Sequence, residues 1–321
     1  MTIKVVDKGG CRGRTVFEYA PGYVFVQDRD CHTYDWLVVY DELGEAERLC
    51  CPRERTILAT SEPVSIKHYS RAYTRQFGHL LTNRPPEAEN HPHYHLGRGY
   101  YRWLNGRTYV ENRDTVLPQK SKDISVVCSA KQMRHTRHFE RFRLISELAG
   151  AIPGLDWYGH GVRSFGRKCE VMDCCKYHIA VENHIAPHHW SEKLSDAFLC
   201  ECLPFYAGAP DLADDFPEES FIPIPIDDPE EAIRIVRSAM ANGEYERRRD
   251  AVLEAKRLIL LKYNFWAQVI AVIEAEDHSR KPSETGGGML YERKSLRWRS
   301  PSAALEDGWY HLCQYTGLLR K

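Results

Sequence analysis

Short apolar runs alternate with polar turns through the first sixty residues. The runs at 3–6, 23–26, 36–40 and 56–59 each have the length of a buried strand. The stretch 104–122 is polar and carries turn signals, and it places a domain boundary near 118–122. A new series then opens with a buried-strand pattern at 123–128, DISVVC. The segment 139–148, FERFRLISEL, has helical spacing and is stopped by Gly150 and Pro153. A strand is predicted at 155–158, ending at Gly159-His160-Gly161. The run 177–181 has period-2 character and predicts a strand. A polar loop follows at 182–190, and Ser191 is placed as a helix N-cap. Behind it Leu194, Ala197, Phe198 and Leu199 give a buried helical face, and 203–206 is a further short strand. A capped helix with Pro229 at its first position is predicted over 228–240. A long amphipathic helical region, kinked near Asn264, is predicted over 244–274. Strand, loop, helix, strand in this order is the unit of an α/β fold.

Composition narrows the classes. The 321 residues suggest two domains, and 43% of them are hydrophobic, enough for sizeable cores. A formal net charge of −1 gives no electrostatic case for nucleic acid. The most apolar stretch, 258–273, is broken by Lys262, Asn264 and Gln268, so no membrane span is expected. The opening MTIKVVDKGG reads as a strand and a turn rather than a signal peptide. Eleven cysteines, with adjacent pairs at 50–51 and 174–175, do not suit a disulfide framework. Cys200-Glu201-Cys202 lacks zinc spacing. Reduced thiols in a cytoplasmic protein are expected.

The chemistry lies where the 182–190 loop meets the next helix. Free N–H groups and a partial positive charge suit a helix N-terminus to phosphate. Lys193 in that first turn is unfavourable for the helix dipole, and a bound phosphate would remove the conflict. The competing reading is a surface lysine extended into water.

Here the residues resemble a family. VEN at 181–183, SEK at 191–193 and PFYAGAP at 204–210 are similar to the signature of glycosyltransferase family 10, the α-1,3/1,4-fucosyltransferases. DDFPEESFIPI at 214–224 extends the likeness, which covers about 120–230, reaches back in a fainter form to about 60, and resembles a soluble bacterial type. The resemblance implies a GT-B fold, two Rossmann-like domains facing across a cleft. Residues 1–118 would bind the acceptor, 119–265 the nucleotide-sugar, and 266–321 would form a final helix and tail. It implies inverting transfer of fucose from GDP-fucose to a glycan or glycolipid hydroxyl, in surface polysaccharide or lipopolysaccharide synthesis, with no metal or other cofactor. Arg141 would grip the diphosphate, with Arg137 and Arg143 as rivals. Lys193 would join it, Glu192 would accept from ribose hydroxyls, Asn183 would orient base or ribose, and Glu182 and His189 complete the nucleotide-sugar site. Glu62, in Thr60-Ser61-Glu62-Pro63 after a strand, would be the catalytic base. A carboxylate at a strand's C-terminal end can reach a sugar hydroxyl in a cleft; a turn cap is its competing reading.

The chain departs from the family at Val181, where a Phe is usual, and at His189, where an aromatic is usual. Another GDP-sugar, mannose or a heptose, is therefore an alternative, as is a non-catalytic carbohydrate- or metal-binding protein on the same fold. Asp28-Arg29-Asp30 is read as a turn or solvated loop rather than a metal motif. His91, His93 and His95 are read as an irregular loop, with acceptor lining and metal binding as alternatives. Tyr94, Tyr100, Tyr101 and Trp103 would suit stacking on a sugar, or core. In the tail, SETGGG at 283–288 reads as a linker and ERKSLRWRS at 292–300 as either a peripheral contact to the inner membrane or solvated surface.

Overall fold

The computed structural model describes residues 1–9, 15–99, 105–131, 137–276 and 287–316. Tyr100, Tyr101, Trp103 and most of the SETGGG linker lie outside the described residues. The chain forms two compact units, one of Met1–Tyr100 with Trp266–Lys321 and one of Tyr101–Phe265. The division thus falls between Tyr100 and Tyr101, where composition suggested 118–122, and the segment from Trp266 onward belongs to the first unit.

In the first unit the strands are β1 (Thr2–Asp7), β2 (Thr15–Ala20), β3 (Tyr23–Gln27), β4 (Trp36–Tyr40), the short β5 (Glu47–Arg48), β6 (Thr56–Thr60), β7 (His79–Thr82) and β8 (Tyr94–Leu96). Two single-turn helices, α1 (Arg71–Thr74) and α2 (Pro86–Glu89), interrupt them. Seven strands form one sheet in the order β2-β3-β1-β4-β6-β7-β8, parallel except for the β2–β3 hairpin. β4 and β6 are apolar runs because both faces of a central parallel strand are covered, and every residue of β6 is buried.

The second unit holds α3 (Tyr109–Asp114), β9 (Lys122–Val127), α4 (His138–Ala151), β10 (Asp156–Tyr158), α5 (Lys168–Met172), β11 (Cys175–Val181), α6 (Glu192–Leu199), β12 (Leu203–Ala207), β13 (Ile222–Pro223), α7 (Pro229–Ala241) and α8 (Glu244–Leu261). Its five strands are all parallel, in the order β10-β9-β11-β12-β13. Its core joins Ile124, Leu144, Leu148, Ile179, Phe198 and Phe205. The predicted break near Asn264 has a physical cause. Its Nδ2 donates to the carbonyls of Ile259 and Leu260 at 3.2 and 2.9 Å, closing the end of α8.

The chain returns to the first unit through α9 (Phe265–Ala275), β14 (Met289–Leu290), α10 (Leu296–Arg299) and α11 (Pro301–Thr316). β14 pairs antiparallel with β5, and Gln76 exchanges hydrogen bonds of 2.9 and 3.1 Å with the Tyr291 backbone. Among the described residues no single helix is long and apolar enough to cross a membrane.

Candidate functional site

Topology alone selects a position in the second unit. From β9 the chain passes through α4 to β10 on one side, then through α5 to β11 on the other. The connections diverge between β9 and β11, and ligands of open α/β sheets bind outside the carboxyl ends of the strands at such a point. Cys128, Arg141, Lys168, His178, Lys193 and Asp196 line a cavity of ≈ 20 Å³ there, the space of about one water.

Glu182 anchors the junction. It follows β11 directly, is fully buried, and its backbone N–H bonds Ala207 O at 2.8 Å. Its carboxylate accepts from the Ser191 N–H at 2.8 Å, from Ser191 Oγ at 2.7 Å and from Lys193 Nζ at 3.1 Å. Ser191 is the N-cap of α6, as predicted. Gly208 presses against this network. A Cβ there would lie 2.0 Å from Tyr206 Oη and 2.8 Å from Glu182 Cγ, so no other residue fits without displacement.

Lys193 is not an isolated cation. Its Nζ meets Glu182 at 3.1 Å and Glu192 at 3.2 Å. Two carboxylates of the chain therefore answer the unfavourable position on the helix dipole without a bound phosphate. Burial works against the Lys193 charge, but Glu182 and Glu192 outweigh it and raise its pKa. Burial likewise pushes Glu192 up, but Lys193 and Lys168 bring it down to about 2.

Arg141 behaves differently. It is 7% exposed, sits in the first turn of α4, and its Nε has no hydrogen-bond partner. Its rivals are engaged elsewhere. Arg137 Nη2 pairs with the Asp227 carboxylate at 2.6 Å, and Arg143 donates to Asp227 O at 3.2 Å. A buried guanidinium with an unused donor, lining a cavity, is the strongest indication of an anion here. Burial raises the Cys128 thiol beside it, so that cysteine is neutral, with Arg141 and Lys193 opposing the shift. Lys168 and Asp196 were not anticipated. They pair at 3.0 Å, with Asp196 1% exposed, and only the tertiary fold brings them to the cavity. His178, behind them, is held near 3 by burial and by Lys168, and its Nδ1 meets Ser125 Oγ at 2.9 Å.

Asn183 and His189 lie on the loop between Glu182 and Ser191. Asn183 is half-buried and its carbonyl accepts the Arg137 N–H at 3.2 Å. His189 is 4% exposed, its ring 5.1 Å from that of His184. The loop is pinned where His188, at φ 62°, donates its N–H to Asp211 at 2.9 Å and where Trp190 Nε1 donates to Asp215 at 2.9 Å.

Glu62 belongs to the first unit, just beyond the carboxyl end of β6, and is half-buried. Arg84 fixes its backbone, with Nε and Nη2 donating to Glu62 O at 3.0 and 2.7 Å. Arg84 also pairs with Glu89 at 3.1 Å and stacks on Tyr69 at 4.4 Å. Asp28 accepts the Asp30 N–H at 3.0 Å, the local turn expected of that motif. His95 lies in the edge strand β8 rather than in a loop, and His79 Nδ1 meets its Nε2 at 3.1 Å. Burial lowers both His79 and His95 to about 4. Among the described residues no group of three His, Cys, Asp or Glu side chains is placed to hold a metal, and the ten cysteines there are free.

No family model and no curated protein matches the chain. Solved structures do. An α1,3-fucosyltransferase with GDP aligns at a TM-score of 0.52 and 15% identity, over 85% of this chain and 88% of that one. An α1,3-fucosyltransferase with GDP-fucose aligns at 0.50 and 16%, over 88% and 92%. At such identity the likeness establishes the fold. The chain has the GT-B glycosyltransferase fold, with two Rossmann-like units.

Proposed function

We propose that the chain is an inverting glycosyltransferase of the family 10 type, moving fucose from GDP-fucose to a hydroxyl of a glycan or glycolipid of the cell surface. The carrying observation is Arg141, buried at the crevice between β9 and β11 with an unpartnered Nε. The Ser191-Glu192-Lys193 turn beside it supports the same reading, because it coincides with the family-like SEK and with the start of α6. In this scheme Glu62 takes the acceptor proton while the hydroxyl oxygen bonds the anomeric carbon and the bond to the diphosphate breaks. Negative charge grows on the leaving diphosphate. Arg141, Lys193 and the α6 N-terminus would stabilise it by preorganised electrostatics. Glu192, Asn183 and His189 would hold the nucleoside, Glu182 would brace that site from beneath through Ser191 and Lys193, and no metal would be needed where these cations face the phosphates. His189 and Val181 depart from the family, which keeps GDP-mannose or a GDP-heptose as the second reading.

Thermal shift tests the nucleotide. GDP should raise the melting temperature well beyond UDP or CMP, because only a ligand of the native state stabilises it. Equal shifts with UDP and GDP would remove the guanine assignment and leave a generic diphosphate site.

A further inference from the structure

Helix α11 presents its residues in the reverse of the usual order for a helix facing water. Leu305, Trp309 and Leu312 recur at i, i+4 and i+7 and are 75%, 65% and 50% exposed. At 3.6 residues per turn they share an arc of roughly 60°. Both of its carboxylates and Tyr310 face inward instead. Asp307 is buried and pairs with Arg297, Glu306 accepts the Arg71 N–H at 2.8 Å, and Tyr310 stacks on His68 at 5.3 Å. An ordinary amphipathic helix buries its apolar stripe and exposes its charges.

The neighbouring α10 continues the pattern. Trp298 is 92% exposed, as is Tyr315 at the end of α11. Arg293 is consumed by Glu42 at 3.0 Å, and Arg297 by Asp307. Lys294 and Arg299 remain exposed beside Trp298, with Arg299 stacked on Tyr291 at 4.1 Å. Among the described residues of 291–316, no carboxylate is exposed. Trp and Tyr suit a boundary that is apolar on one side and wet on the other. Exposed Lys and Arg in a stretch with no exposed carboxylate suit an anionic headgroup layer. A twofold contact with a second copy would press these cations against a surface that has no exposed acid to receive them.

We propose that α10 and α11 form a face that lies on an anionic lipid bilayer. Trp298, Leu305, Trp309, Leu312 and Tyr315 enter the boundary between headgroups and acyl chains, and Lys294 and Arg299 meet lipid phosphates. This face is independent of the proposed sugar transfer. The test is co-sedimentation of the full chain with vesicles of phosphatidylcholine alone or mixed with phosphatidylglycerol. Binding to the mixed vesicles is expected, weakening with salt, with little binding to phosphatidylcholine alone. Lys294→Gln with Arg299→Gln should lower partitioning about 25-fold, roughly fivefold for each charge. Trp309→Ala with Leu312→Ala should abolish pelleting, with an unchanged melting curve because both residues are exposed. The proposal is overturned if neither vesicle binds the chain or if these variants bind as wild type. A dimer in light scattering that Trp309→Ala dissolves, without vesicle binding, would also overturn it and assign the face to a second copy.

Discussion

Lys193 carries two roles that a paired substitution separates. In the folded chain its ammonium neutralises Glu182, which is fully buried. Lys193→Met leaves that carboxylate without a counter-charge. Breaking a buried ion pair from one side costs about 3–5 kcal/mol. The low end, about 3 kcal/mol, applies here because Ser191 still donates both its N–H and its Oγ to Glu182 and the Lys193 side chain is 19% exposed. That is a large share of a typical stability of about 5–15 kcal/mol. Adding Glu182→Gln removes the stranded charge and should recover most of the loss. Binding of GDP should not recover. A charge-assisted phosphate contact is worth about 1.5–3 kcal/mol, so single and double variants should both bind roughly ten- to a hundredfold more weakly. Urea unfolding measures the first quantity and calorimetry with GDP the second. A double variant that binds GDP like wild type would refute the reasoning, since Lys193 would then only balance Glu182. A single variant as stable as wild type would show that the pair carries no net stability.

Glu62→Gln keeps shape and loses the base, so GDP affinity should stay near wild type while turnover of GDP-fucose with a glycan acceptor panel falls about 100-fold, and wild-type turnover should survive EDTA. A near-native rate for the variant would place the base elsewhere, and activity restored only by manganese would revive a metal role. His178, held near 3 in the folded state, should make stability fall as the pH is lowered. Between its unfolded value of about 6.5 and about 3, the unfolded chain binds a proton that the folded chain does not, so stability is full at neutral pH and lost on acidification. The His178 share of the loss at pH 5 should be about 2 kcal/mol, His79 and His95 adding their own, so His178→Gln should shrink the drop between pH 7 and 5 in urea titrations by about that amount; an unchanged drop would contradict the assignment.

The central strands were legible because burial on both faces leaves a continuous apolar run, as in WLVVY of β4 and TILAT of β6. The edges were not. β2, TVFEYA, is largely exposed and mixes polar with apolar residues, and β8 lies inside the histidine-rich stretch read as a loop. The helix α3 does carry a readable signal, the Thr108–Glu111 capping box, inside a segment whose polarity otherwise points to a loop. The loop, cap and helix of 182–199 followed from local chemistry. What the sequence could not show is the return of Lys193 onto Glu182, because the register of β11 on β12 and the close approach of Gly208 set it. The Lys168–Asp196 pair is tertiary in the same way, and so is the inward turn of Asp307 that leaves the apolar face of α11 in water.

The central claim is that a guanosine diphosphate rests where β9 and β11 part, against Arg141 and the start of α6. Amide hydrogen exchange with and without saturating GDP tests this most directly. Slowed exchange is predicted in 182–193 and in the first turn of α4, with the strands of the first unit unchanged. Protection confined to the first unit, or none anywhere in 137–193, would contradict it.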